Sequence, residues 1–338
     1  MTQNNIKKRI EFIDLAKGFC ILFVLFTHAK GGFDVSSAFD LAMASFRMPL
    51  YFILSGLFFK EYNGLLDFAK RKTNKLLIPF VFFYIIIALC FPFVIEVMYS
   101  GFIKNEGINY LFCFYNENFN GMPMGIWFLW CLFIVNILFY TLIIISKNLK
   151  YQIATLIILS IILGWAGIYL GQERINLPLY LDTALTAIPF FCFGYIIRKF
   201  TNVLYPNRYD KYTIPFAIIC FVLVYTFAYD RLSFRMNEFD VNAFSVYACG
   251  ILGAMGTLFL SKRIKHLPFV STMGRYSIMV LCSHQIIMLA LHLAIKQYGI
   301  NNWYGVWIVF VITSVISYLL ISPMKKFLPY VTAQKDIL

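Results

Sequence analysis

The chain alternates long apolar runs with short polar segments, many of them basic. Ten runs can be drawn, approximately 12–29, 41–59, 76–99, 126–145, 153–170, 179–197, 213–229, 241–260, 276–295 and 304–321. Each is continuous and roughly twenty residues long, the length a helix needs to cross a bilayer core. Strands of a membrane barrel would instead alternate apolar and polar residues over about ten positions. The second run is interrupted by Arg47 and Pro49, and the sixth by Asp182 and Pro189. The pattern predicts an all-α, polytopic integral membrane protein with about ten transmembrane helices. It reads as a single membrane-embedded domain over residues 1–338, with short tails at about 1–10 and 323–338.

Composition agrees. The chain is 61% hydrophobic and only 13% charged, against about 45–50% and ~25% in soluble domains. A net charge of +13 would raise the question of nucleic acid, but the basic residues sit in clusters between apolar runs. That is the positive-inside bias of membrane proteins. With N- and C-termini inside, twenty of the 29 Lys and Arg (among them Lys7, Lys8 and Arg9) face the cytoplasm. Six, including Lys104 and Arg231, face outward, and Lys17, Arg47 and Arg275 lie in or at the spans. The N-terminal apolar run has no small-residue cleavage site after it and is read as a retained span. The eight cysteines form no CxxC pair and, except Cys113, fall inside apolar runs, as small packing residues do. The external connection 100–125, rich in Asn, Gly and aromatics, is a candidate lid. No internal repeat of the kind common in transporters is visible.

Ionisable residues inside a bilayer are costly and mark function by default. Lys17 and His28 are eleven residues apart, so they project from one helix face about 16 Å apart along the axis. Asp14 lies near the same face; an Asp14–Lys17 pair at i,i+3 is also what a snorkelling interfacial pair looks like. The second run reads Phe46-Arg47-Met48-Pro49-Leu50-Tyr51-Phe52-Ile53-Leu54-Ser55-Gly56, with an arginine toward one end and a Ser55-Gly56 pair that permits close helix approach. The basic segment 70–75, with Arg71 and Lys75, either obeys topology or holds an anionic nucleotide tail.

Together these stretches resemble the membrane acyltransferase-3 family. The first helix carries a basic residue, ten intervening residues and a histidine; the Phe-Arg-Met-Pro string follows. Then come Arg71…Lys75-Leu-Leu-Ile-Pro, Ile126-Trp127-Phe128-Leu129, and Gly274-Arg275-Tyr276-Ser277 leading to Leu281-Cys282-Ser283-His284. The ordered set covers about residues 10–320. The Asp-x-x-Lys-Gly form is similar to the branch resembling fucose 4-O-acetylases, with Lys17 and Lys75 where arginine is commoner. The resemblance implies a single-domain O-acetyltransferase of the bacterial cytoplasmic membrane. Such an enzyme moves an acetyl or larger acyl group from cytoplasmic acetyl-CoA to a hydroxyl of a cell-surface glycan outside.

On that reading His28 is the general base and Arg47 stabilises the oxyanion or orients His28, while Lys17, Arg71 and Lys75 meet the donor phosphates. Asp14, Ser55, Trp127, Asp182 and His284 are candidates for substrate contact or support. Trp127 is either an interfacial belt residue or would stack on a sugar ring, and Asp182 is either a polar residue at a helix end or would orient His28 or bind sugar hydroxyls. His292 and His266 read as structural or solvated. The four histidines have no metal-ligand spacing, so no metal is expected. The partners implied are membrane lipid, acyl-CoA and a glycan or lipid-linked sugar, not nucleic acid. A transporter or flippase of a lipid-linked glycan is the rival reading of the same charges.

Overall fold

The computed structural model describes residues 10–33, 35, 37–98, 125–147, 149–228 and 232–338. Lys7, Lys8, Arg9, Lys104, Cys113, Arg231 and the candidate lid 100–124 lie outside them.

Over their described residues, all ten apolar runs are largely helical. In chain order the helices are α1 (Glu11–Lys30), α2 (Ala38–Leu57), α3 (Leu65–Lys72), α4 (Ile78–Met98), α5 (Trp127–Lys147) and α6 (Gln152–Gln172). They continue with α7 (Leu181–Phe200), α8 (Thr213–Phe227), α9 (Ala243–Ile264), α10 (Pro268–Arg275), α11 (Ser277–Gln297) and α12 (Trp303–Phe327). Among the described residues, eight segments are long and apolar enough to cross a membrane. Helix α2 is not among them, because Asp40 and Arg47 dilute its apolar content. The apolar pattern did not mark the short helices α3 and α10, whose apolar residues cover one face only. It also missed a two-stranded antiparallel hairpin, β1 (Leu232–Ser233) and β2 (Glu238–Phe239), which pairs Leu232 with Phe239.

Large side chains such as Ile158, Ile161 and Trp165 on α6, Ile218 and Val222 on α8, and Trp307 and Leu319 on α12 face outward. In a lipid solvent such faces carry no penalty, and what holds the helices together is close packing. Helices α1 and α2 form the centre. A Cβ on Gly18 would run into the Val270 carbonyl of α10, and one on Gly274 into the Asp14 carbonyl of α1. Likewise Gly56 of α2 abuts the Phe191 carbonyl of α7, and Gly194 of α7 abuts the Ile53 carbonyl. Backbones therefore touch at both crossings, which sets how α1 and α2 present their polar residues.

Candidate functional site

Among the described residues two polar cavities open along the α1–α2 pair, and Tyr51 lines both. The first, about 260 Å³, lies at the Lys17 end. Its charged lining is Lys17, Arg71, Lys72, Lys75 and Asp336, with Ser55, Tyr62 and Asn136 as polar neighbours. The second, about 80 Å³, lies at the other end of α1, between His28, Arg47, Tyr51, Trp127 and Arg235. The Tyr51 hydroxyl reaches to 3.5 Å from the Lys17 carbonyl, so the tyrosine stands between the two spaces.

The basic cavity is built where α3 passes into α4 through a π-helical turn, Thr73–Leu77. The extra residue per turn re-aims side chains, and such turns are frequent at functional sites. Here it buries Asn74 while its neighbour Lys75 stays about half exposed. The Asn74 amide accepts N–H bonds from Ile337 and Leu338 at 2.8 and 3.0 Å and donates to the Leu338 carbonyl. These bonds hold the segment after α12 against the cavity, where Asp336 pairs with Lys75 at 2.8 Å. Lys75 also donates to the Ala333 carbonyl at 3.0 Å. Arg71 pairs with Asp67 at 3.0 Å and lies over the Tyr62 ring. The Lys17 ammonium sits 5.9 Å from the Phe58 ring centre. Burial pushes the Lys72 ammonium down from the usual lysine range to about 8.

At the His28 end the cations are held by a tight network. The Thr27 hydroxyl donates to an Asp40 oxygen at 2.6 Å and accepts from the Arg47 guanidinium at 3.0 Å. Lys30 pairs with the other Asp40 oxygen at 2.8 Å. The Arg47 backbone is tied to α1 as well, because the Cys20 thiol donates to its carbonyl. His284 of α11 lies beside His28, ring centres 5.3 Å apart. Its Nδ1 is 3.1 Å from the Val280 carbonyl, which can only accept, so Nδ1 carries the hydrogen and Nε2 is left as an acceptor. That Nε2 is fully buried and has no hydrogen-bond donor among the described residues. Gly125 keeps the space beside it open, since a Cβ there would stand 3.0 Å from the imidazole. Trp127 packs at a tilt against Tyr180, ring centres 5.4 Å apart, and forms one wall.

The structure thus brings Lys17, Ser55, Arg71 and Lys75 together in one cavity, and His28, Arg47 and Trp127 in the other, with His284 behind His28. Two of the candidate residues stand apart from these linings. Asp14 lines neither cavity; it is buried on the α1 face that crosses α10, where Gly274 abuts its carbonyl. Asp182 also lies outside both linings, and backbone N–H groups of Thr183 and Leu177 bond to its carboxylate, the work of a helix-start acid. His292 is a packing histidine, with Nε2 2.8 Å from the Ala29 carbonyl.

Tyr51, Lys72, Thr27, Lys30, Asp40 and Arg235 were not singled out by sequence. Asp40 had a signal: it precedes Arg47 by seven residues, two helical turns, and so shares its face. Arg235 had none, because its position depends on the hairpin. Among the described residues no group of three His, Cys, Asp or Glu side chains is placed to hold a metal ion.

Residues 10–322 match the model of the acyltransferase-3 family, described as an acyltransferase domain. No curated protein and no solved structure matches the chain.

Proposed function

The chain belongs to this membrane acyltransferase family, and from that premise we propose that it moves an acetyl group from cytoplasmic acetyl-CoA to a sugar hydroxyl of a surface glycan. The observation that carries the reading is the pair of cavities meeting at Tyr51, one rich in cations, the other holding a histidine and a fixed arginine. Lys17, Arg71, Lys72 and Lys75 suit a polyphosphorylated donor. A pantetheine arm running along α1 from the Lys17 level covers about 16 Å to reach His28. The basic connections Arg198–Lys199 and Lys262–Arg263 end helices on the Lys17 side, which favours placing that side in the cytoplasm of a bacterial inner membrane.

In the transfer step His28 takes the proton of the acceptor hydroxyl as its oxygen attacks the thioester carbonyl. The carbonyl oxygen gains negative charge, which the Arg47 guanidinium, held by Thr27 and Asp40, stabilises. The tetrahedral intermediate then expels the CoA thiolate, and the imidazolium returns the proton to it. One C–O bond forms, one C–S bond breaks, and the products are the O-acetyl ester and free CoA. His284, its ring centre 5.3 Å from that of His28, suits a role in orienting His28.

Purified protein in lipid nanodiscs, given radiolabelled acetyl-CoA and surface glycan, tests this. Label should enter the glycan, and His28→Ala should reduce transfer by about 10²–10⁴-fold. Translocation of a lipid-linked glycan without acetylation would replace this reading with a transporter.

A further inference from the structure

The basic cavity has a lining residue for which phosphate binding gives no reason. Asn136 sits on α5 among the buried apolar residues Leu132, Val135 and Phe139 and is only 1% exposed. It nevertheless lines the cavity together with Lys17, Arg71 and Lys75. The orientation of its amide is fixed. The Leu132 carbonyl, one turn back, stands 2.7 Å from Nδ2 and can only accept, so Nδ2 donates to it. The other end, Oδ1, is fully buried and has no hydrogen-bond donor among the described residues.

Helix packing does not account for such a residue. Thr141 and Ser146 on the same helix each give their one hydroxyl hydrogen to a carbonyl about a turn back, and are then satisfied as donors. An asparagine that did only this would leave a buried acceptor unpaired, which is costly. A leucine of similar size would be buried there without that cost. A ligand that brings a donor to Oδ1 offsets it.

The surroundings of Asn136 say what kind of donor. Helix α5 runs past both cavities, with Leu132 and Asn136 lining the basic one and Trp127 and Phe128 lining the one at His28. Asn136 is nine residues from Trp127, about 13.5 Å along the axis, and so lies on the phosphate side of the reacting carbonyl. A phosphate oxygen would be repelled by the amide oxygen, so the group that meets Oδ1 is a neutral N–H or O–H. Ser55 lines the same cavity and carries a hydroxyl that can donate. An acceptor and a donor in one lining match an amide, which presents one N–H and one C=O. The arm of an acyl-CoA has two amides, both between its phosphates and its thioester.

We propose that Asn136 Oδ1 accepts the N–H of an amide in the donor's arm, so that the cavity selects a pantetheine thioester over phosphorylated acyl donors without an amide. That the arm carries an acyl group for transfer rests on the function proposed above; the amide contact does not.

The test is isothermal titration calorimetry on purified protein in nanodiscs. The probes are CoA and two CoA analogues, each with one arm amide N–H replaced by an ester oxygen. Wild-type protein should bind one of the two analogues about tenfold more weakly than CoA. Asn136→Leu should bind CoA about as weakly as that analogue and should no longer tell the two apart. If the leucine variant does not fold, Asn136→Ser takes its place with the same expectation, since its hydroxyl can serve the Leu132 carbonyl as Thr141 serves that of Ile137. Wild-type protein that binds all three probes equally, or binds none, overturns the proposal, and so does discrimination that survives loss of Asn136. Labelled acetyl-CoA and glycan are then given to the wild type. Acetyl transfer without discrimination among the probes refutes the Asn136 contact alone. Discrimination without transfer upholds the contact and refutes the transferase reading, so the two failures are distinct.

Discussion

The two cavities carry similar charge and treat it in opposite ways. At the Lys17 end the ion pairs are half in solvent: Lys75 and Asp336 expose 46% and 51% of their side chains, and Arg71 exposes 50%. At the His28 end Arg47 and Asp40 expose 19% and 12%, with Thr27 between them. Exposed pairs contribute about 0–1 kcal/mol and weaken with salt, so they can be exchanged for a ligand at little cost. A hydrogen-bonded, largely buried network resists exchange and fixes geometry instead. The first arrangement suits capture of a flexible anionic tail, the second the alignment of a reacting carbonyl.

This contrast can be broken by mutation, most severely at the aligned end. Arg47→Gln should lower kcat for acetyl transfer by about 10²–10³-fold, with donor KM nearly unchanged; a pure KM effect would assign Arg47 to binding. Asp40→Asn leaves Arg47 present but loosens it, so kcat should fall by about tenfold. It should also cost stability of about 1–3 kcal/mol, because Lys30 and Arg47 lose their shared carboxylate. Chemical denaturation alongside kinetics checks both effects.

The Lys17 end should respond in KM instead. Arg71→Ala with Lys75→Ala should raise donor KM several-fold at low salt, with the difference shrinking as salt rises. Asp336→Asn should do the reverse and lower donor KM a few-fold, because Asp336 now neutralises Lys75 in the space a donor phosphate would use. A rise in KM in that variant would mean Asp336 supports the site rather than competing for it.

The smallest effect is with pH. Lys72 is held at about 8, below the ordinary lysine value, because burial disfavours its charge. It is therefore cationic below about pH 8 and neutral above it, so kcat/KM for donor should decline by a few-fold as pH rises through that value. Lys72→Met should flatten this limb, and Lys72→Arg should hold kcat/KM level beyond it.

The residues differ in how far they could be read in advance. Lys17, His28 and Arg47 stand out because a charge in an apolar run is rare and helical spacing tells which charges share a face. Asp182 stood out for the same reason but was open to two readings, a site acid or a polar residue at a helix end. A carboxylate near a helix start is equally well explained by backbone N–H groups, and sequence does not show which partner is nearer. Tyr51 and Thr27 were hidden because aromatics and threonines are common in such spans and mark nothing alone. Lys72 was hidden inside a basic segment, since burial of one lysine among several depends on the π-helical turn.

The sequence by itself determined the ten long apolar helices, the Lys17–His28 face of α1 and the family, because hydropathy, period and motif order are local properties of the chain. Tertiary structure decided which polar residues share a space. It set His284 against His28, stood Tyr51 between the cavities, folded Asp336 back onto Lys75, and swung Arg235 into the cavity on a hairpin. The reason is that in lipid, helices choose partners by close fit. The glycine contacts at Gly18–Val270 and Gly56–Phe191 that set this fit join parts of the chain far apart in sequence, which no local pattern encodes.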